Sequence, residues 1–369
     1  MKLAIAADWL PTYGGAEHVV AALSALWPDA PISTTVARKD ALPLELRNAD
    51  IRVSPLQRAY RFLGRHQFLL PWMPRTMENM DFHGYDVVLS SSHAVGKGII
   101  PPGDSVHICY CHTPMRYAWE MEAQYLKDFR VKGYMKKRIR AELKRLRRWD
   151  LTTARRVDHF IANSSETQAR IKRIYGRESV VIPPPVDDRF FQSPLITKRE
   201  GYFLAIGRLV PYKRFDLLIE LANTLKIPLK IAGKGSDEDR LKAMAGPTVE
   251  FLGFADEQNL PALYGNATAL FFPQVEDAGI VPMEAQACGT PVIAFGQGGI
   301  LDVVTPESTG ILASAQSVTA FTEAMQKFHT VSWNYLAIRE HARKFHIDAF
   351  KQKISSEVQR AYAQFASRA

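Results

Sequence analysis

The chain has 369 residues, 47% of them hydrophobic and 23% charged, with a formal net charge of +9. This is too long for one ordinary domain and suits two of about 150–200 residues each. No apolar run reaches the roughly 18 residues a spanning helix needs. Three cysteines, Cys109, Cys111 and Cys288, are too few for a disulfide framework, so a reducing cytoplasm is the expected compartment.

"KLAIAADW" reads as a first core strand. Its short apolar run enters a Trp-Leu-Pro turn with no small-residue cleavage site, so it does not read as a signal peptide. "GGAEHVVAALSALW" is a helix that follows directly. Segment 56–77, "LQRAYRFLGRHQFLLPWMPRTM", mixes basic and aromatic residues and is too short to span, which suits an interfacial surface. "YDVVLSSS" and "SVHICYCH" are strands. Cys109 and Cys111 share a face of the second, where packing explains them better than a metal, which needs more ligands.

From Lys132 to Arg148, nine of seventeen residues are Lys or Arg, and Ile139, Leu143 and Leu146 recur at helical spacing. Segment 132–148 is therefore a helix with a narrow apolar stripe. Its basic face suits solvent or an anionic membrane surface. No nucleic-acid partner is expected, because no recognised motif and no interleaved aromatic platform accompany the charge. "DHFIANS" is a strand, "SSETQARIKRIYG" a Ser-capped helix stopped by Gly, and "SVVIPPPVD" a strand broken at Pro183–Pro185.

A second alternation then starts: strands in "YFLAIGR", "LKIAGKG", "VEFLGF", "ATALFFP" and "TPVIAF", with helices in "FDLLIELANTL", "EQNLPALYGN" and "GIVPMEAQACG". Short apolar strands alternating with helices predict α/β architecture with parallel sheets covered on both faces. Two doubly wound, Rossmann-like domains are expected, 1–190 and 191–350, facing across a cleft. A final amphipathic helix follows at 351–369. Ligands of such sheets bind beyond the carboxyl ends of the strands.

Several loops there carry candidate chemistry. Gly14 and Gly15 allow close backbone approach at a helix start that can receive an anion. Arg208 leaves a strand end and Lys213 lies near the next helix, a pair suited to a diphosphate. Gly233 and Gly235 suit close approach of a flat base. In "FFPQVEDAGIVPMEAQACGTPVIAF", Pro282 marks a helix start, with the N–H groups of Gly279, Ile280 and Val281 offered to a ligand. Glu276 precedes them and Glu284 is placed in the first turn. Two carboxylates beside such amides would bind vicinal hydroxyls of a sugar or ribose. An acidic first turn matched to the helix dipole is the plainer alternative.

The stretch "EDAGIVPMEAQACGTPVIA" resembles the E-x7-E signature of retaining nucleotide-sugar glycosyltransferases of glycosyltransferase family 4, which have the GT-B fold. "GGAEHVV", "CHTPMRYAWE", "FIANSSETQARI", "VIPPPVD", "GRLVPYKRFDLLI", "IAGKG", "FLGF" and "TGIL" match family motifs in order, from residue 14 to about residue 312. "CHTPMRYAW" is similar to a subgroup that includes mannosyltransferases of bacterial O-antigen and exopolysaccharide assembly. The resemblance implies that Arg208 and Lys213 hold the diphosphate and that Glu276 and the amides of Gly279, Ile280 and Val281 hold sugar hydroxyls. It implies that Glu284 holds the ribose diol. His112 would face the donor sugar, and Gly14 and Gly15 would approach the donor phosphate. Glu276, His112, Arg208 and Lys213 are thus the catalytic candidates. Arg116, Tyr117, Asn163 and Ser164 would serve the acceptor side. Asp8 and Glu17 are set aside as acceptor-side or structural.

Two positions depart from the pattern. Ala278 stands where the family commonly has an aromatic residue, and Asp302 replaces a common Glu. Retention implies an oxocarbenium-like state in which the departing diphosphate takes the acceptor proton. No metal or other cofactor is implied. The expected partners are a nucleotide sugar, GDP-mannose first, and a lipid-linked saccharide acceptor, with segments 56–77 and 132–148 resting on an anionic inner membrane face. A UDP-sugar donor, a nucleotide-sugar epimerase of the same fold, and a non-enzymatic membrane- or polyanion-binding protein are the alternatives. In this family the last helix commonly crosses back to the first domain.

Overall fold

The computed structural model describes residues 1–120 and 133–367. Lys132, the first residue of the basic segment, lies outside the described residues, as do positions 368–369 of the final segment. The chain divides into two compact units, Met1–Pro184 with Lys351–Ala369, and Pro185–Phe350. The division falls among the three prolines rather than at residue 190. Just past them the backbone of Val186 bonds to Phe345 (2.8 Å) and Ile347 (3.0 Å), so the chain has already joined the second unit.

The first unit holds a seven-stranded sheet. Its strands are β1 (Leu3–Ala7), β2 (Ile32–Thr34), β3 (Ile51–Val53), β4 (Val87–Ser92), β5 (Val106–Cys111), β6 (His159–Ala162) and β7 (Ser179–Val181). They lie in the order β3-β2-β1-β4-β5-β6-β7. The second unit holds β8 (Phe203–Ile206), β9 (Leu229–Ala232), β10 (Val249–Gly253), β11 (Ala269–Phe272), β12 (Val292–Phe295) and β13 (Gly310–Ala313). Their order is β10-β9-β8-β11-β12-β13. Every pairing is parallel. Both orders reverse beside the first strand of the unit, the switch point at which such sheets open a ligand crevice. In the first unit the central strands β1, β4 and β5 are buried along their whole length, the serines of β4 and His107 of β5 included, because helices cover both faces. β2, β3 and β13 were not singled out in the sequence.

Side chains of Cys109 and Cys111 are fully buried beside Ala154, Phe160 and Ile171, so packing accounts for them. The basic segment forms helix Tyr134–Ala154. Its stripe residues Leu143 and Leu146 enter one core cluster with Tyr60, Leu69, Met73 and Met77 of segment 56–77, and Ile139 packs against it. The two segments read separately along the chain thus adjoin, and Arg145 donates to the Pro71 carbonyl at 2.7 Å. At the other end of the helix, buried Asp150 pairs with Lys97 and accepts from Trp119 (2.7 Å) and Tyr175 (2.9 Å). A buried pair satisfied in this way costs heavily if one partner is removed. Among the described residues no helix is long and apolar enough to cross a membrane.

Candidate active site

In the second unit, glycine lets two strand-end loops lie on one another. A Cβ on Gly233, which has φ +140°, would fall 1.9 Å from the Gly207 carbonyl oxygen, and one on Gly235 would fall 2.0 Å from that of Leu209. Backbone bonds Gly207–Ala232 and Leu209–Lys234, both 3.0 Å, lock the loops together. Loop-on-loop packing therefore accounts for both glycines without a base. A second brace repeats the device. A Cβ on Gly299 would fall 2.0 Å from the Asp277 carbonyl oxygen, and the Gly299 N–H donates to the Glu276 carbonyl at 2.9 Å.

These braces set two side chains against each other. Lys213, in the 3-10 turn Pro211–Lys213 after β8, places Nζ 2.7 Å from Oε1 of Glu276. Gln274, itself buried, donates to the same oxygen at 3.4 Å. The expected diphosphate cation and the expected sugar carboxylate are therefore an ion pair. Their side chains are 13% and 23% exposed, sheltered enough for the pair to matter and open enough for a ligand to reach it. Arg208 is exposed, and its guanidinium lies 3.4 Å from the Tyr212 hydroxyl.

Helix Ile280–Ala287 starts where Gly279 turns into the left-handed region at φ +74°. Ile280 and Val281 supply first-turn N–H groups, which a helix cannot satisfy internally. Pro282 falls third in the helix, where its missing N–H still costs no bond. Glu284 is consequently the fifth helical residue and not part of the first turn, which holds no acidic residue. The helix-dipole explanation of Glu284 lapses with that shift. Its carboxyl instead accepts from the Tyr264 hydroxyl at 2.7 Å. Burial pushes its pKa up to about 7, against the pull of that hydroxyl and of nearby Arg189. Asp302 sits in the short helix Ile300–Val303, and Ala278 is buried in the core.

In the first unit, Gly14 caps and Gly15 starts helix Gly15–Leu26. Glu17 folds back so that its Oε2 would lie 3.2 Å from a Cβ on Gly14. Burial raises its pKa, and hydrogen bonds from its own N–H and that of Gly14 pull it back. A carboxyl therefore occupies helix-start amides that the sequence reading offered to an anion. His112 directly follows β5. Its Nε2 lies 2.8 Å from the Ser91 hydroxyl, and burial, then the charge of His93, lowers its pKa to about 3. At neutral pH it is an uncharged hydrogen-bonding group. Ser164 caps helix Ser165–Tyr175 by accepting from the Thr167 N–H at 3.1 Å, and its own hydroxyl donates to Asn163 at 3.3 Å. Both are buried. Arg116 and Tyr117 open the short helix Arg116–Trp119 beyond His112 and are half-buried.

Sequence reasoning passed over Ser91, Ser92, His93, Gln274 and Tyr264, and set Asp8 aside. Asp8 alone carried a signal, a carboxylate at the carboxyl end of the first strand. Among the described residues no group of three His, Cys, Asp or Glu side chains is placed to hold a metal ion.

A family model described as Glycosyltransferase Family 4 matches residues 13–190, and one described as Glycosyl transferases group 1 matches residues 186–345. The D-inositol 3-phosphate glycosyltransferase of Gordonia bronchialis is 28% identical over 58% of this chain and 54% of its own length. The GDP-mannose-dependent alpha-(1-6)-phosphatidylinositol monomannoside mannosyltransferase of Mycolicibacterium smegmatis is 32% identical over 44% of this chain and 50% of its own. The aligned region thus spans about half the length of these curated relatives. Sucrose-phosphate synthase from Thermosynechococcus elongatus shares the fold with a TM-score of 0.72 at 18% identity, over 98% of this chain and 99% of that one. Anabaena HepE, solved with UDP and glucose, gives 0.70 at 18% identity, over 97% and 99%.

Proposed function

The chain belongs to the group 1 and family 4 glycosyltransferases with the GT-B fold, and from that premise we propose that it transfers a sugar from a nucleotide diphosphate donor to a saccharide acceptor. The observation that carries this reading is the Lys213–Glu276 pair, braced at the strand ends beside the first turn of helix Ile280–Ala287. A cation, a carboxylate and unsatisfied amides in one short arc suit a phosphorylated sugar. Lys213 and Arg208 meet the charge that grows on the departing diphosphate, and the first-turn amides add to it by fixed dipoles. Glu276 accepts from sugar hydroxyls, so donor binding exchanges part of its pairing with Lys213. Glu284 accepts from the ribose diol in its ionised form. His112, held neutral, can donate to or accept from a sugar hydroxyl without adding charge. The departing diphosphate takes the acceptor proton, with retention of anomeric configuration and without a metal.

GDP-mannose is the favoured donor. The "CHTPMRYAW" stretch and the GDP-mannose-dependent enzyme among the relatives support it. The acceptor is a lipid-linked saccharide of bacterial polysaccharide assembly, reached from the inner membrane face. Phe62 (91% exposed), Phe68 (57%) and Trp72 (60%) stand out from segment 56–77 beside the basic helix, a combination that favours an anionic interface.

Incubation with GDP-mannose and with UDP-sugars, a lipid extract as acceptor, and product analysis by NMR tests the proposal. An α-glycoside formed with release of nucleoside diphosphate is expected. A free epimerised sugar, or no turnover of any donor, would overturn it.

A further inference from the structure

A carboxyl that binds a ribose diol has to be aimed, and one side chain in the second unit is placed to aim Glu284. Glu284 is partly exposed, whereas Tyr264, on helix Leu260–Asn266, is fully buried. The Tyr264 hydroxyl donates to Oε2 of Glu284 at 2.7 Å. Among the described residues no other hydrogen-bond donor reaches that carboxyl. A buried phenol needs an acceptor, and a main-chain carbonyl suffices. Tyr110 uses that of Ile182 (3.0 Å) and Tyr202 that of Leu263 (2.7 Å). Tyr264 instead takes a carboxyl. Burial, then the charge of Glu284, pushes its own pKa well above the ordinary value, so the phenol remains the donor.

The frame around this bond is tied at several points. The Thr290 hydroxyl donates to the Tyr264 carbonyl (2.7 Å), and the Arg199 guanidinium bonds the carbonyls of Ala267 (2.7 Å) and Gly289 (2.8 Å). The Phe190 ring stands edge-on to that of Tyr264, with centroids 5.9 Å apart. These contacts join the ends of helices Leu260–Asn266 and Ile280–Ala287, so hydroxyl and carboxyl meet at a set separation. A carboxylate offers about four lone-pair sites. Tyr264 takes one on Oε2 and fixes the side-chain torsions, which leaves Oε1 for a diol. The charges that bear most on Glu284 are those of Arg189, Asp187 and Glu257, and Arg189 is itself paired with Glu257 (3.0 Å) and Asp187 (3.3 Å). Of the charged groups on other elements packed against the helix, Asp188 turns to His346 (3.0 Å) and Glu340 to Arg343 (2.7 Å). Arg339 turns to the Ala287 carbonyl (2.9 Å) and His341 to that of Val303 (3.2 Å), and Asp302 sits on Ile300–Val303. The phenol is thus the group that can set the direction of the carboxyl.

We propose that Tyr264 is a positioning residue for nucleoside binding: its hydroxyl holds Oε2 of Glu284 and so aims the carboxyl at the 2′- and 3′-hydroxyls of the donor's ribose. The proposal rests on the glycosyltransferase reading and on the ribose role given there to Glu284. Tyr264 touches no substrate and transfers no proton. Loss of its hydroxyl frees the carboxyl to turn. It also removes the bond that pulls the Glu284 pKa down against burial, so the carboxyl then ionises only at higher pH.

The test titrates full-length wild type, Tyr264→Phe, Glu284→Ala and the double variant by calorimetry with GDP, UDP, ADP and their 2′-deoxy forms. Tyr264→Phe keeps the ring, and a thermal melt confirms the fold. For the nucleotide that the wild type prefers, Tyr264→Phe should weaken binding about tenfold at pH 7, equivalent to about 1.4 kcal/mol. It should also narrow the preference for ribose over 2′-deoxyribose. Affinity rises with pH as Glu284 ionises, and in Tyr264→Phe that rise should come at higher pH than in the wild type. Once Glu284→Ala is in place, loss of the hydroxyl should cost nothing further. An equal loss in both backgrounds, or a ribose preference and a pH midpoint unmoved by Tyr264→Phe, is what a merely structural phenol would give and would overturn the proposal. Glu284→Ala with wild-type affinity would remove the ribose role and Tyr264 with it, but leave glycosyl transfer standing. A wild type that binds none of the nucleotides sinks the enzyme reading as a whole.

Discussion

The two units hold their candidate groups by different means. In the second, glycine contacts lay one loop on another and leave an ion pair, Lys213–Glu276, sheltered but reachable. In the first, buried side chains from distant parts of the sequence grip one another. Ser91 meets His112, and Asp8 gathers the loop after β4. The second unit is organised by backbone geometry to present charge. The first is organised by hydrogen bonds to keep most of its groups neutral or covered.

Gly233→Ala probes the loop brace and should have the largest effect. The new Cβ would meet a carbonyl oxygen at 1.9 Å, with φ at +140°. A loss of about 3–4 kcal/mol is expected from denaturant unfolding. A near-neutral result would show that the loops give way and that the contrast between the units is overstated.

Glu276→Ala should lower turnover by about 10²- to 10³-fold. The pair with Lys213 is partly exposed and worth about 1 kcal/mol or less, so the melting temperature should move by only about 2–4 °C. A melting temperature that collapsed along with activity would make Glu276 structural. Next in size is Lys213→Ala, with nucleoside diphosphate affinity expected to fall about 10- to 100-fold, the worth of a charged hydrogen bond. Unchanged affinity by calorimetry would remove Lys213 from the diphosphate site.

The smallest effect is one of pH. Glu284 has a pKa near 7 and binds a diol best when ionised. Nucleoside affinity should therefore rise by up to about tenfold between pH 6 and 8, and the rise should vanish in Glu284→Gln. The stability sign is opposite. The folded carboxyl keeps its proton from the ordinary 4.5 up to about 7, so its contribution to stability falls as pH climbs through that window and is flat above it. A pH-independent affinity in the wild type would place Glu284 away from the ribose.

How much of this was legible depended on where each cause lay along the chain. The core strand "LAIAA" announced itself as a short apolar run, whereas β2 ("IST") and β3 ("IRV") offer no such run. The Glu276–Glu284 stretch was visible because its parts are consecutive. The start of its helix was misplaced, since Pro282 drew attention away from Gly279, whose positive φ makes the turn. Gly233 and Gly235 were visible as glycines, but their immediate reason, the carbonyls of Gly207 and Leu209, lies more than twenty residues earlier. The Asp8–His93 pair was the hardest to see. Its members are 85 positions apart and meet because β1 and β4 are neighbours in the sheet, an ordering no local pattern encodes.

The most direct test of the central claim is calorimetric titration of the purified protein with GDP, UDP and ADP, alongside Lys213→Ala. Selective binding of one nucleoside diphosphate, weakened in the variant, is the predicted result. No binding of any of the three would contradict the account.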